Sequence, residues 1–114
     1  MNNFDRQGSA RAGQRWFLYL LRNERDALYA GITTDICRRL DEHRERGTRG
    51  ARYTRGCASL VLVYDCEIGS RSLALKAERR VKNLSKARKE RLVSSRPDCR
   101  RLLEILDLSA AIVE

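Results

Sequence analysis

Between Arg71 and Lys89 a single acid, Glu78, stands among eight lysines and arginines. A lone carboxylate in a basic field suits a hard divalent cation acting on a phosphodiester, because such an ion keeps most of its shell as water and phosphate oxygens. The same residue also suits a plainer role, a helix ion pair with Lys82 at i+4, worth roughly a few tenths of a kcal/mol. Earlier in the chain, Arg39 and His43 are four residues apart. On a helix, Ile36, Leu40 and His43 share one stripe, Arg39 flanks it, and Arg38 points to solvent. Arg39 and His43 then both reach a cleft beside a sheet, or else they are a core histidine and an arginine whose stem covers apolar surface. Four tyrosines complete the set: Tyr19, Tyr29 and Tyr64 in strand-like runs, Tyr53 in a basic loop. Strand tyrosines are most often core bodies with a polar tip.

The elements that must position these residues follow from punctuation and periodicity. Trp16 to Leu21 is a continuous apolar run that predicts a buried strand, residues 22–26 supply a turn, and Ala27 to Thr33 return as a second strand, giving a hairpin. Thr33, Thr34 and Asp35 offer N-cap oxygens for a helix that runs to about Arg46 and stops at Gly47. Gly47 to Gly56, with Arg49, Arg52 and Arg55, reads as a basic loop, and Leu60 to Cys66 as a third strand. Ser70 or Ser72 caps a second helix to about Leu84, with Leu73, Ala77, Val81 and Leu84 as its core stripe and Glu78 at its boundary. Ser85 caps a third helix from Lys86 to Val93. After Pro97, residues 98–113 predict an amphipathic helix with Leu102, Leu103, Leu106 and Ile105 on its apolar face.

Size and charge bound the function. The chain has 114 residues, one short domain, without room for a nucleotide-binding domain and a separate substrate domain. Leu, Ile, Val and Phe total 27, above the roughly 20 % below which highly charged chains stay disordered. The net charge is +9, and residues 71–101 alone hold twelve basic against three acidic residues. Such a field attracts polyanions by counterion release, so nucleic acid is the first partner to consider and a solvated basic surface the alternative.

The four cysteines show no C-x-x-C and His43 is the only histidine, which excludes a zinc site by spacing. Cys37 and Cys66 are expected as small core residues. Residues 1–15 are polar and basic, unlike a signal peptide, and no apolar run approaches a membrane span. The expected compartment is the cytoplasm, with reduced thiols.

Taken in order, Phe17-Leu18-Tyr19, then Tyr29-Ala30-Gly31, then Thr33, Arg39 and His43, then Gly50 to Gly56, Leu60 to Tyr64 and the helix carrying Glu78 resemble the GIY-YIG nuclease module. The chain is similar to the small stand-alone bacterial branch of that superfamily. The resemblance covers about Trp16 to Val93. Phe17 and Leu18 replace the glycine and isoleucine of the first triplet, and Ala30 the isoleucine of the second; these are packing positions. A catalytic asparagine that some members carry well beyond the glutamate has no counterpart here, since Asn83 lies on the same helix as Glu78.

The resemblance implies an α+β fold, a small three-stranded, largely antiparallel sheet flanked by helices. It divides the chain into a basic arm (1–15), the nuclease-like domain (16–93) and a C-terminal helix (94–114) that packs on the domain or on a protein partner. It also implies a metal-dependent DNA endonuclease, with RNA as an alternative substrate, or a weakly cleaving nucleic-acid-binding module of the same fold. In that scheme Glu78 holds Mg²⁺ or Mn²⁺, Arg39 neutralises the phosphorane, Tyr19 orients or deprotonates the water with Tyr29 close by, and His43 assists proton transfer or holds Tyr29. Gly31, Thr33, Arg38, Arg52, Tyr53, Arg55, Arg79, Lys82, Lys86 and Lys89 are the expected nucleic-acid contacts, with Gly31 leaving space for a phosphate.

Overall fold

The apolar run from Trp16 becomes the central strand β1 (Trp16–Arg22), and it is apolar without alternation because both of its faces are covered. The computed structural model describes residues 14–48 and 60–109. Strands β2 (Leu28–Thr33) and β3 (Val61–Gly69) flank β1 antiparallel in the order β2-β1-β3, so the fold is α+β with an antiparallel sheet. Asn23 shapes the β1–β2 turn, its side-chain oxygen accepting from the Arg25 and Ala27 amides, both at 2.9 Å. Asp26 completes that turn in the left-handed region, at φ 69°.

Helix α1 (Ile36–Thr48) covers one face of the sheet, where Tyr19, Leu21 and Leu60 pack with Ile36, Leu40 and Leu62. Helices α2 (Arg71–Lys82), α3 (Lys86–Ser95) and α4 (Cys99–Ile105) cover the other, around Leu18, Leu20, Tyr64, Ala74, Ala77, Val81 and Leu102. Full burial of each such leucine is worth about 1.5–3 kcal/mol. Side-chain caps start all four helices: Asp35 accepts from the Arg38 amide at 3.1 Å, Ser70 from Leu73 at 3.2 Å, Ser85 from Arg88 at 3.2 Å and Asp98 from Arg101 at 2.9 Å.

Several boundaries differ from the sequence expectation. β3 continues to Gly69 because Ile68 is still buried, and α2 stops at Lys82 with Asn83 as its cap. The expected long tail helix ends at Ile105, where Asp107 turns left-handed at φ 63° and Leu108 re-enters the core. Ile105 faces outward, and the apolar face of α4 is engaged on the domain through Leu102, Leu103 and Leu106. Cys37 is exposed rather than core, since Ile36 and Leu40 take the inner positions of α1; Cys66 is buried. Among the described residues no helix is long and apolar enough to cross a membrane.

Candidate active site

β1 and β2 set Tyr19 directly opposite Gly31, on the face covered by α1. A Cβ on Gly31 would lie 2.5 Å from Tyr19 Cζ and 3.1 Å from Cε1. The missing side chain therefore makes room for the phenol ring, and the space that the sequence reading left for a phosphate is taken by Tyr19. The ring is 5 % exposed. Its hydroxyl lies 3.4 Å from Nε2 of His43, with the two rings edge-on at 71°.

Helix α1 brings Arg39, Glu42 and His43 to the same place. Burial pushes the Tyr19 phenol above its ordinary value, the Arg39 charge and its hydrogen-bonding approach pull it back, and Glu78 and Glu42 add to the upward push. Charges on α1 and α2 thus bear on a hydroxyl carried by β1. Arg39 Nε lies 3.2 Å from Glu42 Oε1, near enough for an ion pair, yet its N–H is not aimed at the carboxylate. This buried nitrogen has no hydrogen-bond partner among the described residues. A buried donor left over in this way is one that an anionic oxygen can satisfy. Glu42, which also reaches Arg38 at 3.6 Å, was not among the expected site residues; its position three residues after Arg39 is the only sequence signal for it.

Glu78 sits on α2 between the buried Ala77 and the solvent, its side chain only 19 % exposed. Lys82 Nζ stands 3.2 Å from its Oε2, the i+4 ion pair that the sequence also allowed. The carboxylate is sheltered, and its charge adds to the upward push on the Tyr19 phenol. Among the described residues no group of three His, Cys, Asp or Glu forms a protein cage for a metal. One sheltered carboxylate fits a largely hydrated Mg²⁺ or Mn²⁺ and does not fit zinc.

The other expected residues are more scattered. Tyr29 shares the α1 face but is 51 % exposed, and its hydroxyl accepts a hydrogen bond from Asn23 Nδ2 at 3.2 Å. The contact from His43 goes to Tyr19. Thr33 is buried and its hydroxyl both accepts from the amide and donates to the carbonyl of Asp35, which fastens the start of α1. Arg38, Arg79 and Lys82 are exposed, whereas Lys86 is drawn into ion pairs with Glu90 and Asp26, and Lys89 is half-buried. Arg52, Tyr53 and Arg55 lie outside the described residues.

Residues 15–91 match the family model described as the GIY-YIG catalytic domain. The chain belongs to the GIY-YIG family. All five candidate catalytic residues fall inside that span, and the family is one of nucleases. Relatives include a UPF0213 protein of Yersinia enterocolitica, 50 % identical over 82 % of this chain and 92 % of its own length. A UPF0213 protein of Yersinia pseudotuberculosis is 52 % identical over 83 % of this chain and 95 % of its own length. The solution NMR structure of a UPF0213 protein from Bacillus halodurans aligns with a TM-score of 0.46 at 38 % identity, covering 70 % of this chain and 83 % of that one. By its family match and its Yersinia relatives, this chain is similar to small, stand-alone GIY-YIG proteins.

Proposed function

We propose that this protein is a metal-assisted endonuclease that hydrolyses phosphodiester bonds in DNA. The observation that supports this reading most is the contact of His43 with the buried Tyr19 hydroxyl, a phenol whose titration also feels the charges of Arg39 and Glu78. Tyr19 accepts a proton from the attacking water, and His43, at 3.4 Å, receives or relays it from the phenol. Arg39, with a buried N–H still to satisfy, offsets the charge of the phosphorane. Tyr29, exposed on the same face, contacts the phosphate. Glu78 would hold a divalent ion, Mg²⁺ or Mn²⁺, which when bound would supply Lewis-acid stabilisation of the same charge. Exposed Arg38, Arg79 and Lys82 hold the flanking backbone. The free thiols of Cys37, Cys66 and Cys99 fit a reducing, cytoplasmic setting.

The test is nicking of supercoiled plasmid in Mg²⁺ or Mn²⁺. Activity is expected in the wild type and is lost in Glu78→Ala and Arg39→Ala; cleavage that survives both substitutions sinks the site assignment. One observation favours the weaker reading, a nucleic-acid-binding module that cleaves poorly: Lys82 competes for the Glu78 carboxylate. In that case binding falls steeply with salt while no product forms.

A further inference from the structure

We propose that Asn23, in the turn between β1 and β2, is a positioning residue that orients Tyr29 as a hydrogen-bond donor to the substrate phosphate. This rests on the nuclease reading of Tyr29 given above. The Asn23 carboxamide oxygen is fixed by two main-chain donors, the Arg25 and Ala27 amides, both at 2.9 Å. With the oxygen so occupied, the network allows only one assignment of the amide, and its nitrogen faces the other way. There it donates to Tyr29 Oη at 3.2 Å. A phenol that receives a hydrogen bond on one side keeps its own O–H for another acceptor. Tyr29 pairs with Leu21, next on the same face to the Tyr19–Gly31 pair, and its side chain is half-exposed, so it flanks the proposed reaction centre on the side of the turn.

The turn that carries Asn23 is itself held in place. Its backbone closes through Asn23 N–H to the Ala27 carbonyl and Asp26 N–H to the Asn23 carbonyl, both at 3.0 Å. Arg22 and Lys86 tie it to Glu90 on α3, and Lys86 also donates to the Asp26 carbonyl. An asparagine at a turn is ordinarily occupied with its own backbone. Here only the accepting half is so occupied, and the donating half reaches a side chain of the site.

The decisive substitution is Asn23→Asp, studied in the full-length chain. The carboxylate still accepts from both turn amides but has no N–H to donate, so it accepts a hydrogen bond from the Tyr29 O–H and reverses the bond. The variant is expected to melt with the wild type while kcat for Mg²⁺-dependent nicking falls about five- to tenfold, the equivalent of one hydrogen bond, at unchanged KM. Combined with Tyr29→Phe it is expected to add no further loss. Asn23→Asp at full kcat, losses that multiply in the double variant, or Tyr29→Phe at full activity each overturn the assignment and leave the nuclease reading standing. If the wild type does not nick at all, the nuclease reading fails, and the Asn23 contact is decided by its side-chain amide NMR signals. A shift of those signals in Tyr29→Phe, with the Arg25 and Ala27 amides unmoved, supports the contact, and unchanged signals overturn it.

Discussion

The Tyr19 ring occupies the space that a side chain on Gly31 would need, so these cross-strand partners are set as one unit. A methyl group at Gly31 meets the hydroxyl end of a buried ring, which can yield only by moving within the packed face beneath α1. Gly31→Ala is therefore expected to cost about 1–3 kcal/mol through overpacking, and to displace the phenol from His43. Thermal unfolding reads the first effect and loss of nicking the second. A variant as stable and as active as the wild type would show that the ring is free to move.

Tyr19 also predicts a pH dependence. Burial, reinforced by Glu78 and Glu42, outweighs the pull of Arg39, so the folded phenol titrates above its ordinary value of 10.0. If Tyr19 is the base, the nicking rate rises steadily from pH 7 to about 9 without a plateau, and Tyr19→Phe abolishes the rise. A pH profile that Tyr19→Phe leaves unchanged instead assigns the base role to another group. The linked stability runs the other way. The fold favours the neutral phenol, so that contribution is complete below about pH 10 and is lost as pH rises through the folded value.

Much of the fold was legible because its signals are local. The run from Trp16, the caps Ser70 and Ser85, and the stripe of Ile36 and Leu40 are all written within a few residues of where they act. The site was legible only as a set of candidates. Whether His43 meets Tyr19 or Tyr29 depends on strand register and on how α1 lies over the sheet. That Gly31 shelters a ring, and that Thr33 fastens a turn, are likewise pairings that no spacing encodes. Cys37 was misplaced because a small apolar residue beside a core stripe can fall on either side of it.

The Glu78–Lys82 pair makes a separate prediction. The ammonium, 3.2 Å from Oε2, competes with any cation for the carboxylate, and at 57 % exposure Lys82 contributes little to stability. Lys82→Gln is expected to melt with the wild type and to lower the Mg²⁺ concentration that gives half-maximal nicking. An unchanged or higher Mg²⁺ requirement means that Glu78 does not hold the ion.

The C-terminal segment is expected to behave as core. Leu102 and Leu103 are fully buried with Leu18, Leu20 and Val81, and the Arg80 guanidinium donates to the Leu106 carbonyl at 2.7 Å. Leu102→Ala should destabilise the domain by about 2–5 kcal/mol, measured by urea unfolding. A truncation after Pro97 that stayed folded would instead assign α4 to an external partner.

The clamp between the β1–β2 turn and α3 gives an acid-side prediction with a defined window. Arg22 donates two hydrogen bonds to Glu90, at 2.7 and 2.8 Å, and Lys86 a third at 2.6 Å. These cations hold the Glu90 carboxyl at about 2, well below its ordinary 4.5. A carboxyl held down in the fold contributes stability that is present above its unfolded value and is lost as pH falls through its folded one. Glu90→Gln is thus expected to melt below the wild type at pH 7, with the difference shrinking from about pH 4.5 and gone near pH 2. A deficit that persists undiminished at pH 2 would mean that Glu90 acts by packing and not by charge. The same variant loosens the turn that presents Asn23 to Tyr29, so at pH 7 its nicking rate should fall further than its modest loss of stability explains.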